Sequence, residues 1–289
     1  MTPTSEWTAE ASNPLIAVAL VLVHSNVFIS LAATSWVLTT VVLVGLPFDP
    51  LPFAIVFVVT LFVYSLNRFT DIDEDEFNVP GRVEFTKAYG RILLVIGTAG
   101  YVLVGVVAIY RQIPYLVLLL APIVIIVGYS VVGLKRYLLV KNLIVGGAWG
   151  AIPLWVGIYY GVETDVEIIV LSAYVVLMVT IAAVIFDLKD IVGDRHEGIT
   201  TVPRVVGPAW TRRGAICSSV IVGILLAIVV ATGVVGPQFL LLLFYSTYVI
   251  AYSFVADTDA GPLFYGFVVD GEHIAFAVVV LALAVIGVL

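Results

Sequence analysis

Residues 51–76 read LPFAIVFVVTLFVYSLNRFTDIDEDE. Sixteen positions pass before the first hydrogen-bonding amide, Asn67, and the apolar run then ends in five acids within six residues. A bilayer core needs roughly 20 mostly apolar residues per helix, so this stretch reads as a transmembrane helix that surfaces in a carboxylate cluster. The whole chain fits that reading. Its 289 residues are 62% hydrophobic and 11% charged, where a soluble domain carries about 25% charged residues.

Working outward, nine such runs fall between charged or Pro/Gly-rich breaks, at approximately 15–45, 51–69, 89–110, 113–133, 142–161, 167–187, 212–233, 237–256 and 267–288. The first is long enough to tilt or break. The longest polar connections, Thr70–Ala88 and Leu188–Thr211, leave no room for a soluble domain. The expected fold is therefore all-α: a polytopic membrane protein of about nine transmembrane helices forming one domain over residues 1–289. The stretch Met1–Asn13 lacks the basic residues, short apolar core and cleavage site of a secretory signal. A single cysteine, Cys217, excludes an intrachain disulfide and a multi-thiolate metal site. The net charge of −7 is unusual beside the basic loops typical of membrane proteins, and an acid-rich, high-salt host would account for it.

Basic residues set the expected orientation. Of the 13, Arg68, Arg82, Lys87 and Arg91 follow helix 2, Lys135, Arg136 and Lys141 follow helix 4, and Lys189, Arg195, Arg204, Arg212 and Arg213 follow helix 6; Arg111 alone lies opposite. The positive-inside rule makes the crowded side cytoplasmic, with the N-terminus inside and the C-terminus outside.

Two acidic motifs lie on that side. Asn67, Asp71 and Asp75 stand four residues apart and share a face if the helix continues through them. After helix 6, Asp187, Asp190 and Asp194 share a face at i, i+3 and i+7. Like charges at these spacings repel, so a helix gains nothing structurally from them. Four helices separate the motifs, as two pseudo-repeat halves (67–75 and 187–194) would place them, facing one another across a cavity. Carboxylate oxygens suit hard cations, and Mg²⁺ takes one or two carboxylates plus phosphate oxygens. Two facing clusters could hold a diphosphate between metal ions, with Arg68, Arg82, Lys87, Lys189, Arg195 and Arg204 contacting the remaining phosphate charge. A divalent-cation transporter is the rival from another class, but transporter sites lie near the bilayer midplane rather than at helix ends.

At these residues the chain resembles the UbiA superfamily of intramembrane prenyltransferases, which pairs an asparagine and two aspartates at four-residue steps with a later DxxxD motif in a nine-helix bundle. Asn67, Asp71 and Asp75 match the first pattern, and Asp190 and Asp194 the second. The family's YxxxK element has a longer counterpart in Tyr129 and Lys135. The Arg-Pro pair with which many members open is Asn13-Pro14 here, which points to an unusual acceptor. The resemblance implies a central cavity in which Asp71, Asp75, Asp190 and Asp194 act as catalytic metal ligands, with Asn67 and Asp187 as further metal ligands. It implies Mg²⁺, two ions with Mn²⁺ able to substitute, and diphosphate contacts from Asn67, Arg68, Arg82, Lys87, Lys135, Lys189 and Arg195. The partners are a prenyl diphosphate, a lipophilic acceptor and membrane lipid, with no nucleic acid. A terpene cyclase without an external acceptor is the alternative outcome on the same scaffold. Asn26 and Tyr129 are expected at the cavity or acceptor end, and His24, Ser25 and Asn26 are polar groups in the first apolar run, where they hydrogen-bond between helices or face a cavity. His196 and His273 read as loop residues, and no general base stands out.

Overall fold

A computed structural model describes residues 13–126, 128 and 133–289. Among these residues the chain is helical with no strands. Helix α1 (Pro14–His24) opens with Pro14 in its first turn and the Asn13 side chain accepting from Leu15 N at 2.9 Å, a pairing that satisfies an amide the helix leaves open. The long first run breaks at Ser25–Asn26, where Asn26 takes the left-handed conformation at φ 63°, one that asparagine adopts more readily than most residues. Helix α2 (Val27–Val44) then crosses the bundle and ends at Gly45. Helix α3 (Pro50–Thr70) repeats the start of α1, with Asp49 as its cap and Pro50 following.

Short α4 (Ile72–Asn78) leads into α5 (Pro80–Tyr110). The sequence placed this third span at 89–110, but the helix starts at Pro80, whose fixed φ suits a first turn. At 31 residues α5 is about 46 Å long, well beyond a hydrocarbon core of about 30 Å, so its first turns extend past the apolar layer and carry Arg82 to the acidic motifs. A 3₁₀ turn at Leu116–Leu120 and α6 (Ala121–Ile126) follow. The remaining elements are α7 (Val140–Tyr160), α8 (Val166–Phe186), α9 (Ile191–His196), α10 (Val202–Val206), α11 (Pro208–Ala231), a 3₁₀ turn at Pro237–Leu241 running into α12 (Leu242–Val255), a π-helical turn at Phe264–Val269, and α13 (Gly271–Val285).

Eight helical stretches among the described residues are long and apolar enough to cross a membrane. The remaining expected span, 113–133, lies partly outside them, as does Tyr129. Packing is closest between α7 and α8, where Gly146 and Gly150 lie against the α8 backbone. A methyl group at Gly146 would overlap Thr180 and lie 2.6 Å from the Val176 carbonyl, and one at Gly150 would overlap Val176. Small residues four apart permit such an approach, and in lipid it is dispersion across the contact that holds helices together. Helix α13 packs on α2 and α12, bringing the last span against the first. The shared interior is aromatic, with Trp36, Tyr245 and Phe276 fully buried, while α5 turns Leu103, Val106 and Ile109 outward. An apolar exterior around buried Ser30, Thr40, Ser219 and Ser253 is the pattern of a multi-pass membrane protein.

Candidate active site

The first motif keeps its face even though α3 stops at Thr70. Asp71 N bonds to Asn67 O, Asp75 N to Asp71 O and Val79 N to Asp75 O, at 2.8–3.0 Å, so the four-residue ladder runs through the break and stacks Asn67, Asp71 and Asp75. The second motif begins where α8 tightens. Leu188, Lys189 and Asp190 each donate to the carbonyl three residues back, which aligns Asp187 with Asp190. Asp194 N then returns to Asp190 O at 2.8 Å. The motif helices α4 and α9 are in contact, with Gly193 N donating to Asn78 Oδ1 at 2.9 Å. A Cβ at residue 193 would overlap the Asn78 amide, so only glycine permits this approach.

Between the motifs lies a cavity of about 200 Å³. One wall carries Asn67, Arg68, Asp71, Asp75 and Arg82; the facing wall carries Lys141, Asn142, Asp187, Lys189 and Asp190. Each carboxylate is engaged. Asn67 Nδ2 donates to Asp71 Oδ2 at 2.7 Å, and Lys135 Nζ reaches Asp71 Oδ1 at 2.6 Å. Asp75 receives Arg82 at 3.1 Å and Arg68 at 3.6 Å. Lys189 pairs with Asp190 at 2.6 Å. Asp187 accepts from Lys141 at 2.9 Å and from Asn142 at 2.8 Å, and Lys141 also reaches Asp194 at 3.5 Å.

The two motifs hold their charges differently. Burial pushes Asp75 upward, but Arg82, Arg68 and Lys189 together outweigh it and keep this carboxyl below its ordinary range. At Asp187 burial prevails over Lys141 and Asn142, and the carboxyl rises. Among the described residues no three acidic, histidine or cysteine side chains converge on one point. Single carboxylates on facing walls, next to cations able to bind phosphate, fit Mg²⁺ when a bound diphosphate supplies the other ligands.

Several expected contacts lie elsewhere. Lys87 is exposed and pairs with Glu76 at 2.9 Å, because its position on α5 faces outward from Arg82. Arg195, one residue past Asp194 and about 100° around α9, is exposed and does not line the cavity. Arg204 is occupied by the backbone carbonyls of Asp194 and Ile199. Asn26 stands behind the site, where its Oδ1 accepts from Arg68 Nε at 3.2 Å. Asp194 is fully buried beneath the cavity. His273 is no loop residue: it lies in α13 and is 4% exposed. His196 closes α9, with Phe77 edge-on at 4.2 Å.

Sequence reading passed over Lys141, Asn142, Asn78, Asp270 and Glu272. The last two had a legible signal, being acids within an apolar span, where a charge is costly. Trp149 and Tyr64 line both the polar cavity and a second, apolar one of about 360 Å³ bounded by Val59, Leu119, Ile152 and Trp155.

Solved structures share this architecture. A UbiA homologue from Aeropyrum pernix K1 superposes with a TM-score of 0.67 at 18% identity, covering 90% of this chain and 98% of that one. A UbiA homologue from Archaeoglobus fulgidus bound to GPP and Mg²⁺ gives 0.58 at 15% identity, covering 90% and 99%. A digeranylgeranylglyceryl phosphate synthase gives 0.55 at 19%, covering 94% and 98%. These likenesses establish the fold. No curated protein matches the sequence. The family model for UbiA prenyltransferases matches residues 16–267, which contain both aspartate motifs, and the chain belongs to the UbiA prenyltransferase family.

Proposed function

We propose that the chain transfers an isoprenyl group from a prenyl diphosphate to a lipophilic acceptor within the membrane and releases diphosphate. The observation that carries this reading is the meeting of the two motifs across one cavity, held by the Asn78–Gly193 contact. Asp71, Asp75 and Asp190 would hold Mg²⁺, with Asn67 orienting Asp71, and Asp187 and Asp194 backing the second motif through Lys141. When bound, Mg²⁺ neutralises charge on the departing diphosphate. Arg68, Arg82 and Lys189, which line the cavity, would bind phosphate oxygens as negative charge builds on the leaving group. Lys135 would turn from Asp71 towards the same oxygens. The isoprenyl tail would run past Tyr64 and Trp149 into the apolar cavity, where protein contacts replace those with lipid chains. The apolar lining of the second cavity, with Trp149 and Trp155, would limit water near the allylic cation. The basic residues around the motifs favour a cytoplasmic site, and the similar spacing of the motifs from their preceding spans supports two pseudo-repeat halves within one domain. The A. fulgidus homologue bound to GPP and Mg²⁺ supports the same assignment of substrate and ion.

The test uses the purified protein with geranylgeranyl diphosphate and membranes as acceptor source. Diphosphate release should require Mg²⁺ and stop in chelator. Asp75→Ala and Asp190→Ala should each remove most activity, and the double variant should be little worse than the poorer single, because both act on one leaving group. Effects that add in free energy would mean separate sites and refute the reading. Product analysis without acceptor separates transfer from cyclisation.

A further inference from the structure

At the inner end of the cavity, away from the aspartate motifs, α13 places a carboxylate and an imidazole in consecutive positions. The π-helical turn at Phe264–Val269 precedes them, closed by Asp270 N on Tyr265 O at 3.1 Å. Such turns shift the register of a helix and recur at functional sites. Here the shift brings Asp270, Glu272 and His273 all to the cavity wall.

Glu272 is fully buried, and its two oxygens differ. Oε1 accepts from the Tyr245 hydroxyl at 2.5 Å. Oε2 is buried without a hydrogen-bond partner. Tyr252, seven residues beyond Tyr245 on the same face of α12, also turns its hydroxyl towards the Glu272 carboxyl. His273 Nδ1 accepts from Trp36 Nε1 at 3.0 Å, which puts the proton of the neutral ring on Nε2, 3.8 Å from Glu272 Oε1. Trp149 stacks on the imidazole at 4.3 Å. The groups facing Glu272 are Asp270 and His273 from its own segment, Tyr245, Tyr248 and Tyr252 from α12, and Tyr174 from α8. Among the described residues no lysine or arginine joins them. A carboxylate within a span is costly, and a buried oxygen left without a full hydrogen bond beside a cavity gains nothing structurally.

Building on the prenyl-transfer reading, we propose that Glu272 is the base that takes the proton released when the allylic cation is captured, with Tyr245 and His273 as positioning residues. The C–O bond to diphosphate breaks and its electron pair leaves with diphosphate. The cation bonds to an electron pair of the acceptor, giving an adduct with one positive charge. That adduct gives one proton to Glu272 Oε2 and becomes neutral. An acceptor that yields a proton on capture presents an uncharged nucleophile there: an alcohol, a phenol ring or an alkene.

The experiment incubates the purified full-length protein, Mg²⁺ and tritiated geranylgeranyl diphosphate with membranes from a deletion strain. Glu272→Gln should still bind the diphosphate and release it slowly, with label recovered as the prenyl alcohol, while label in neutral lipid falls about 10²-fold or more. The wild-type transfer rate should fall towards low pH as the base is protonated, Glu272→Gln should lose that dependence, and Glu272→Asp should restore part of the rate. Transfer by Glu272→Gln within a few-fold of wild type, or an unchanged acid limb, overturns the proposal. If Glu272→Gln fails to fold, Tyr245→Phe decides: a displaced acid limb with diphosphate binding retained supports the base, and a superimposable profile overturns it. Absence of Mg²⁺-dependent transfer by the wild type would instead refute the underlying function, and no Glu272 variant produces that result.

Discussion

Replacing Lys141 by methionine tests how the second motif holds its charge. Lys141 is 12% exposed and Asp187 and Asp194 are 1% and 0% exposed, so one ammonium stands between two buried carboxylates. Methionine keeps the volume and removes the charge. Breaking a buried pair from one side costs about 3–5 kcal/mol, since a buried charge is left uncompensated. In a chain of this size a stability loss of about 3 kcal/mol lowers Tm by roughly 6 °C. The assay is thermal unfolding in detergent at one fixed heating rate, because irreversible unfolding makes Tm rate-dependent. Burial already raises the Asp187 carboxyl above its usual range in the wild type, and losing Lys141 raises it further. An acid raised in the folded state binds its proton more tightly there than when unfolded. Stability therefore falls as pH rises above the unfolded value of about 3.9, and the full penalty holds above the folded value. The Lys141→Met deficit should thus be largest near pH 8 and shrink on acidification, as a proton replaces the ammonium. Asp187→Asn in the Lys141→Met background should recover part of the loss. A Tm within a degree of wild type at pH 8, or a deficit independent of pH, would refute this reasoning.

Gly150→Val should destabilise the α7–α8 contact by about 1–3 kcal/mol, and a matching change at exposed Gly147, where a Cβ meets nothing, should not; comparing their thermal unfolding checks this. Asp49→Ala should cost about 1 kcal/mol, because Asp49 caps α3 and accepts from Tyr159 at 2.7 Å. The Leu51 amide and Tyr159 hold Asp49 below its usual range, so its contribution is complete above about pH 4 and fades as pH falls through the lowered value. Acid titration of Tm should show the variant and wild type converging there. Reporter tags at the two ends should fall on opposite sides of the membrane, with the N-terminus cytoplasmic, and both on one side would overturn the expected orientation.

The motif faces were legible because helical spacing is a local property: four-residue steps stack even where one helix stops and the next begins, and the ladder through Asp71 shows it. Eight of the nine expected spans were legible from apolar run length among the described residues, and the length of the first run allowed a tilt or a break without choosing between them. Contacts between distant segments were not. Nothing local to Lys141 says that it meets Asp187 and Asp194, nor local to Asn78 that it seats Gly193. Arg195 and Lys87 misled for the related reason that nearness in sequence to a motif does not fix the side of the helix. Asp270 and Glu272 carried a signal as acids within an apolar span, but a span estimated as 267–288 set them and His273 near its end, where polar residues attract little notice. The π turn that directs them inward leaves no clear mark in the sequence.

The hydrogen bond from Trp36 to His273 joins the first span to the last across 237 residues. Contacts of such sequence separation cannot form until both partners exist, and synthesis proceeds from the N-terminus. During translation the pocket therefore stays open on one side until α13 emerges and fills the gap beside α2. A nascent chain that has already displayed both aspartate motifs still lacks Glu272, His273 and the closing wall. Completion of the cavity is thus a late event in biogenesis, and a stop codon shortly before Gly261 would yield a protein with every carboxylate of the two aspartate motifs and without the wall that α13 supplies.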